Sequence, residues 1–235
     1  MYQSVCPYPD CRSVFDCPHD ADNLEDRFPV IDCCHCNRKM LAKPKALLDR
    51  LQARAPHLVG EGNLVRPLPP SRPSLIACLD DIRSLHNVGA TFRTSDACGF
   101  ERLYLCGITG CPPRKEIQKV SLGAEAWVSF AYRISIAEML CDLKAIGYRI
   151  IALERNDSSR PIESFLLEHA TTLPDKICLI LGNEVQGVSP EALSLADDTV
   201  HLTMRGQKES LNVSVAFGIA AYVLADCFYK LHNQA

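Results

Sequence analysis

Apolar residues along this 235-residue chain alternate between two periods. Short β-rich runs occur at residues 75–79, 102–106, 128–133, 148–153, 177–181 and 199–204. Between them lie stretches of helical period near residues 88–98, 136–145 and 190–195. After Ser210 the apolar positions Val213, Phe217, Ala221, Leu224 and Phe228 recur every three or four residues, predicting a long closing helix. Ser210 has the chemistry of its N-cap, since a hydroxyl can accept from the first-turn N–H groups. Strand–helix alternation of this kind predicts an α/β domain with a mostly parallel sheet, whose ligands lie beyond the carboxyl ends of the strands. No G-x-G-x-x-G or P-loop lysine motif is present, which disfavours ordinary dinucleotide or nucleoside triphosphate binding.

The first 72 residues follow a different pattern. Six of the 13 cysteines fall within residues 1–36, and Cys6 with Cys11 and Cys33 with Cys36 form two compact pairs. This is the spacing of two metal knuckles, and four thiolates close a tetrahedral structural zinc site. Cys17, Cys34, His19 and His35 are alternative ligands. So short a segment has little core, so bound zinc would supply much of its folding free energy. Met40, Leu41, Leu47, Leu48, Leu51 and Leu58 then alternate with basic residues as a short helical connector, and Pro67, Pro69, Pro70 and Pro73 mark a linker. The expected organisation is a zinc-ribbon-like domain at 1–40, a basic connector and linker at 41–72, and the α/β domain at 73–235.

Charge adds one feature. The net charge of -3 conceals a segment, residues 37–72, with eight basic against two acidic side chains, flanked by acidic sequence. A basic run in an acidic protein points to a polyanionic partner, or structurally to a solvated helix face. The N-terminus lacks the basic end and apolar core of a signal peptide. Many cysteines without a secretory signal imply reduced thiols, hence the cytoplasm. The longest apolar stretch, residues 213–225, is interrupted by Ser214 and Gly218 and reads as too short to cross a bilayer, so no membrane association is expected.

Three loops concentrate polar chemistry. Asn87, Gly89 and Arg93 open the first helix of the α/β domain, with Gly89 and Arg93 on one face. Gly182, Asn183, Glu184 and Gly187 follow the fifth strand. Gly206, Ser210, Asn212 and Ser214 precede or begin the last helix, where backbone donors meet a hydroxyl and an amide at a positive helix end. Singly each is a common turn or cap.

Together, Asn87-x-Gly89-x-x-x-Arg93, Leu181-Gly182-Asn183-Glu184-x-x-Gly187 and Met204-x-Gly206-x-x-x-Ser210-Leu211-Asn212-Val213-Ser214 resemble the three ordered motifs of the SpoU-type (TrmH-like) RNA 2′-O-ribose methyltransferases of the SPOUT superfamily. The segment from Val120 to Trp127 also resembles one these enzymes carry, and the resemblance covers about residues 73–231. Thr203 departs from the proline common before Met204. The cysteine-rich extension is not part of the family core.

The resemblance implies an α/β sheet whose C-terminal segment threads a trefoil knot, a topology otherwise nearly absent from proteins. It implies S-adenosylmethionine as methyl donor, held among Leu153, Gly182, Leu202, Met204 and Leu211, and a ribose hydroxyl of tRNA or rRNA as acceptor. It implies that Asn87 and Asn212 orient the ribose and Arg93, that Ser210 holds its loop and contacts substrate or cofactor, and that Glu184 anchors the knot or steers Arg93. Arg93 is named as a base in such enzymes, but a guanidinium keeps its proton, so phosphate clamping is the better chemistry. A homodimer formed through the last helix and the first motif helix is implied too. Structurally, Asn87 and Ser210 could be caps, Asn212 a satisfied buried amide and Glu184 a loop brace. A base methyltransferase or a non-enzymatic RNA-binding protein of the same fold are the competing functions.

Overall fold

The computed structural model describes residues 1–19, 27–58 and 73–232. Most of the linker expected at 60–73 lies outside the described residues. The N-terminal module consists of two antiparallel ribbons. Tyr2–Val5 (β1) pairs with Val14–Cys17 (β2), and Val30–Asp32 (β3) pairs with Lys39–Leu41 (β4). Residues after the second cysteine of each pair, Arg12 and Asn37, turn with positive φ of 51° and 57°. The connector is helical, as its pattern predicts, from Lys45 to Leu58 (α1), but its first residues form β4 instead.

The α/β domain begins with Ser74–Asp80 (β5), Leu85–Ala97 (α2), Arg102–Cys106 (β6) and Lys115–Ser121 (α3). It continues with Ser129–Arg133 (β7), Ile136–Ala145 (α4), Arg149–Leu153 (β8), the two-residue Arg160–Pro161 (β9) and Ile162–Glu168 (α5). Lys176–Leu181 (β10), Pro190–Leu195 (α6), Asp198–His201 (β11) and Val213–His232 (α7) complete it. The seven strands are ordered β7-β6-β5-β10-β8-β11-β9, and every pairing is parallel. Interior strand β5 is buried at all seven positions, which is why it reads as a continuous apolar run rather than an alternation. One face packs a core of Leu75, Phe92, Phe165, Phe217 and Phe228 under α2, α5 and α7. The other packs Ile76, Met139, Leu140 and Ile180 under α4 and α6.

Three sequence readings need correction. The last strand ends at His201 rather than Met204, because residues beyond it find no ladder partner. The closing helix starts at Val213, and its cap is Asn212, not Ser210: Asn212 Oδ1 accepts from Ser214 N at 3.0 Å and from Val215 N at 3.4 Å. At 20 residues, α7 is also longer than the apolar stretch read from sequence and long enough, by length and composition alone, to span a membrane. Its Phe217, Ala220, Ala221, Leu224 and Phe228 are buried in the domain core, as in the core helix of a globular domain.

Candidate functional site

The carboxyl ends of β8, β10 and β11 open onto a cavity of about 410 Å³. Its walls are the ends of those strands, the loop at residues 182–187, and the segment from Leu202 to the start of α7. Leu153, Gly182, Leu202, Met204 and Leu211 all line it, as do Glu184, Ser210 and Asn212. Three separate segments, lying between Leu153 and Ala216, therefore converge on one space of small-molecule size.

The loop after β10 owes its shape to two glycines. Asn183 and Gly187 exchange backbone hydrogen bonds, both at 2.9 Å, so the loop closes on itself. A Cβ on Gly182 would stand 2.1 Å from Gly187 C and 2.1 Å from Val188 N, and Gly187 turns with φ +73°. Gly182 is thus required by the loop's own backbone. Asn183 is buried and fastens the loop: its Nδ2 donates to Asp81 O at 2.7 Å, while its Oδ1 accepts from Val185 N and Gln186 N.

Glu184 reaches the N-terminus of α2. Its carboxylate accepts from Arg83 N at 2.9 Å, Ser84 N at 3.0 Å and Asn87 Nδ2 at 2.8 Å. Partial burial alone would raise its pKa, but these donors outweigh burial and hold it below the usual glutamate value. Asn87 in turn accepts at Oδ1 from Asn212 Nδ2 at 3.1 Å. Asn87 does not line the cavity, but it links two residues that do. Ser210 is exposed on the cavity rim. Arg93 lies six residues beyond Asn87, roughly 9 Å along α2. It is exposed and outside the cavity lining. Gly89, on its face, accommodates α3, because a Cβ there would meet Ile117 O at 2.6 Å.

Sequence reasoning missed Glu154, Arg155, Gln186 and His201 in the lining. Glu154 closes the far wall by accepting from Val188 N at 2.7 Å. Its place directly after a predicted strand was the available signal.

In the N-terminal module the sulfur atoms of Cys6, Cys11, Cys33 and Cys36 all lie within 4.8 Å of one another. Cys6 and Cys36 are 3.7 Å apart, and Cys11 and Cys33 are 3.8 Å apart. A tetrahedron with metal–sulfur bonds of about 2.3 Å has edges of roughly 3.8 Å. Cys34 is exposed and Cys17 is buried, both outside this cluster. Burial would raise the Cys33 pKa, but the Ser13 hydroxyl and the backbone N–H groups of Cys36 and His35 bring it down to about 6. Arg38 Nε donates to Cys36 Sγ at 3.4 Å.

The sequence pattern of the SpoU rRNA Methylase family matches residues 74–222. The tRNA (guanosine(18)-2'-O)-methyltransferase of Escherichia coli (strain K12) is 28% identical over 151 residues, which is 64% of this chain and 62% of that protein. The chain therefore spans less than two thirds of that relative's length. Among solved structures, the TrmH/SpoU tRNA modifying enzyme of A. aeolicus is 29% identical with a TM-score of 0.58, covering 80% of this chain and 85% of that one. The fold is also that of the SpoU methyltransferase AviRb from Streptomyces viridochromogenes in complex with AdoMet, at 22% identity and a TM-score of 0.62, covering 71% of this chain and 65% of that one.

Proposed function

Because the chain belongs to the SpoU rRNA methylase family, we propose that it transfers a methyl group from S-adenosylmethionine to a ribose 2′-hydroxyl of tRNA or rRNA. The convergence of Leu153, Gly182, Glu184, Leu202, Met204, Ser210, Leu211 and Asn212 on one cavity carries this reading. When bound, the cofactor supplies an electrophilic methyl group on a sulfonium that leaves as a neutral thioether. The residues of the chain supply alignment and desolvation. Leu153, Leu202, Met204 and Leu211 offer apolar walls for a flat heterocycle, and the loop at 182–187 offers backbone donors and acceptors. The bridge Glu184–Asn87–Asn212 holds the cavity wall to α2 and fixes the amide that faces the ribose. As the new carbon–oxygen bond forms, the hydroxyl proton passes to water or an RNA phosphate.

The planar cation of a guanidinium suits bidentate contact with phosphate, and Arg93 serves as a phosphate clamp. Its exposure on α2, away from the cavity of its own chain, agrees with a homodimer joined along α2 and α7, in which one copy's arginine serves the other's site. The exposed apolar side chains Val215, Ile219 and Tyr222 of α7 supply a face for that contact. In this reading the C-terminal segment threads the knot of the family, and the enzyme works in the cytoplasm.

Two edges of the four-cysteine cluster, at 3.7 and 3.8 Å, match those of a zinc tetrahedron, which supports reading it as a structural zinc site. The module at 1–40 and the basic residues of the connector then contribute salt-dependent RNA contacts. Metal analysis should find one zinc per chain, lost in Cys6→Ser or Cys36→Ser.

Incubation with radiolabelled S-adenosylmethionine and tRNA or rRNA, followed by alkaline digestion, tests the activity. Label in an alkali-resistant dinucleotide is expected. Label in mononucleotides would indicate base methylation, and no label with intact cofactor binding would indicate a non-enzymatic RNA-binding role.

A further inference from the structure

The N-terminal module touches the cofactor loop directly. Phe28, just ahead of β3, donates its backbone N–H to Gln186 Oε1 at 2.9 Å, and Gln186 Nε2 donates to Phe28 O at 2.7 Å. Gln186 lines the cavity, and its own backbone N–H donates to Asn183 Oδ1 at 3.0 Å. Asn183 donates to Asp81 O, the Asp81 carboxylate pairs with the ammonium of buried Lys43, and Lys43 Nζ sits 5.9 Å from the centre of the Phe28 ring. The contacts thus form a closed circuit that leaves the module, passes through the loop and the end of β5, and returns to the module. Downstream of the loop, α6 is held by the same module: Leu41 N donates to Glu191 Oε2 at 3.1 Å, and Tyr8 Oη and Ser194 Oγ lie 3.1 Å apart.

We propose that Gln186 is a positioning residue through which the four-cysteine module sets the affinity of the cavity for the methyl donor. The proposal rests on reading the cavity as that donor's site. Physically, Asn183 and Glu184 anchor the start of the loop to the end of β5 and to α2. The Gln186 side chain near its end is held by the Phe28 main chain, and a free Gln186 would have to be ordered on binding. Ordering it before the ligand arrives removes that cost from binding. The Phe28 main chain is placed by β3, whose register leads into Cys33, so the order of the metal cluster passes to the loop through a short and specific path.

The test measures S-adenosylmethionine affinity by calorimetry on the full chain, with zinc content and unfolding midpoint recorded for each protein. Gln186→Ala and the equal-length Gln186→Met are expected to weaken binding roughly fivefold to tenfold, with zinc retained. Phe28→Pro removes the module's donor without touching the cavity lining and should weaken binding by the same factor. Phe28→Pro combined with Gln186→Ala should lose no more than either alone, because both cut one path. Chelating the zinc should weaken binding in the unmodified chain but add nothing in Gln186→Ala. Additive losses in the double variant, or unchanged affinity in Phe28→Pro and Gln186→Met, would overturn the proposal. Should the metal-free chain unfold, the variants with zinc bound decide alone. An unmodified, folded chain that does not bind S-adenosylmethionine would remove the underlying reading and the proposal with it.

Discussion

Asn87 and Glu184, 97 residues apart, meet through a 2.8 Å hydrogen bond from the Asn87 amide to the carboxylate, which also collects two backbone N–H groups at the start of α2. Three donors converge on two oxygens, so Glu184→Gln, which has one acceptor oxygen, leaves a donor facing an NH2 group. The side chain is exposed to solvent, so the stability cost is about 1 kcal/mol. The effect on function is larger, because Asn87 is also what Asn212 holds. Methyl transfer should fall about tenfold or more in kcat, measured at saturating cofactor. Unchanged kcat would reduce Glu184 to a loop brace.

Gly182→Ala should damage the cavity from within. The added Cβ would meet backbone atoms of Gly187 and Val188 at 2.1 Å, and backbone cannot rotate aside as a side chain can. A cost of about 2–3 kcal/mol or more is expected, seen as a lowered urea midpoint together with loss of S-adenosylmethionine binding. Gly206→Ala is the control, since nothing lies within 4 Å of a Cβ there. If both variants bind alike, the loop is not shaped by its own backbone.

Much of this was legible in the sequence, for identifiable reasons. Strands buried on both faces announced themselves as apolar runs, and Ile136–Ala145 and Pro190–Leu195 fell where their apolar spacing put them, with Ser135 and Ser189 found as their caps. The short helices α3 and α5 went unread, because Arg114 and Pro161 stand at their cap positions and neither caps through its side chain. The last strand was read too long, because Leu202 and Met204 are apolar for the cavity they line rather than for a ladder. Ser210 was assigned a cap that Asn212, two residues later, performs with a better-placed carbonyl. The tie between Phe28 and Gln186 left no trace in the pattern, because it spans 158 residues and one partner is main chain.

Arg93→Ala separates binding from chemistry. The side chain is exposed and lies outside the cavity lining, so stability should change by less than about 0.5 kcal/mol. Cofactor affinity should stay within about threefold while methylation falls roughly 100- to 1,000-fold. A large loss of cofactor binding would refute the role as a phosphate clamp. Mixing Arg93→Ala chains with chains disabled in the cavity should restore part of the activity if the arginine acts across a dimer.

Glu191 gives the protein a pH signature with a definite sign. Burial, reinforced by Asp80 and opposed by Lys43, pushes its pKa from 4.5 up to about 7, and burial with Asp81 nearby pushes Asp80 up to about 6. Burial alone would lower the pKa of Lys43, but the carboxylates of Asp81, Glu191 and Asp80 outweigh it and keep the ammonium charged throughout. A carboxyl group whose folded pKa is raised binds protons more tightly in the folded state. Its contribution to stability is therefore full below about 4.5 and is lost as pH rises through about 7. Glu191→Gln imitates the protonated form and can still accept from Leu41 N, so it should be more stable than the unmodified chain at pH 8, by on the order of 1–3 kcal/mol. The advantage should shrink to nothing near pH 4.5. The comparison must be a difference between the two proteins, because every other group that titrates over this range contributes to both alike. Urea midpoints measured from pH 4.5 to 8 would show the gap opening with pH. A gap that is constant, or that closes as pH rises, would mean that Glu191 is ionised and paired in the folded state, and that Lys43 is shared between two carboxylates rather than held by Asp81.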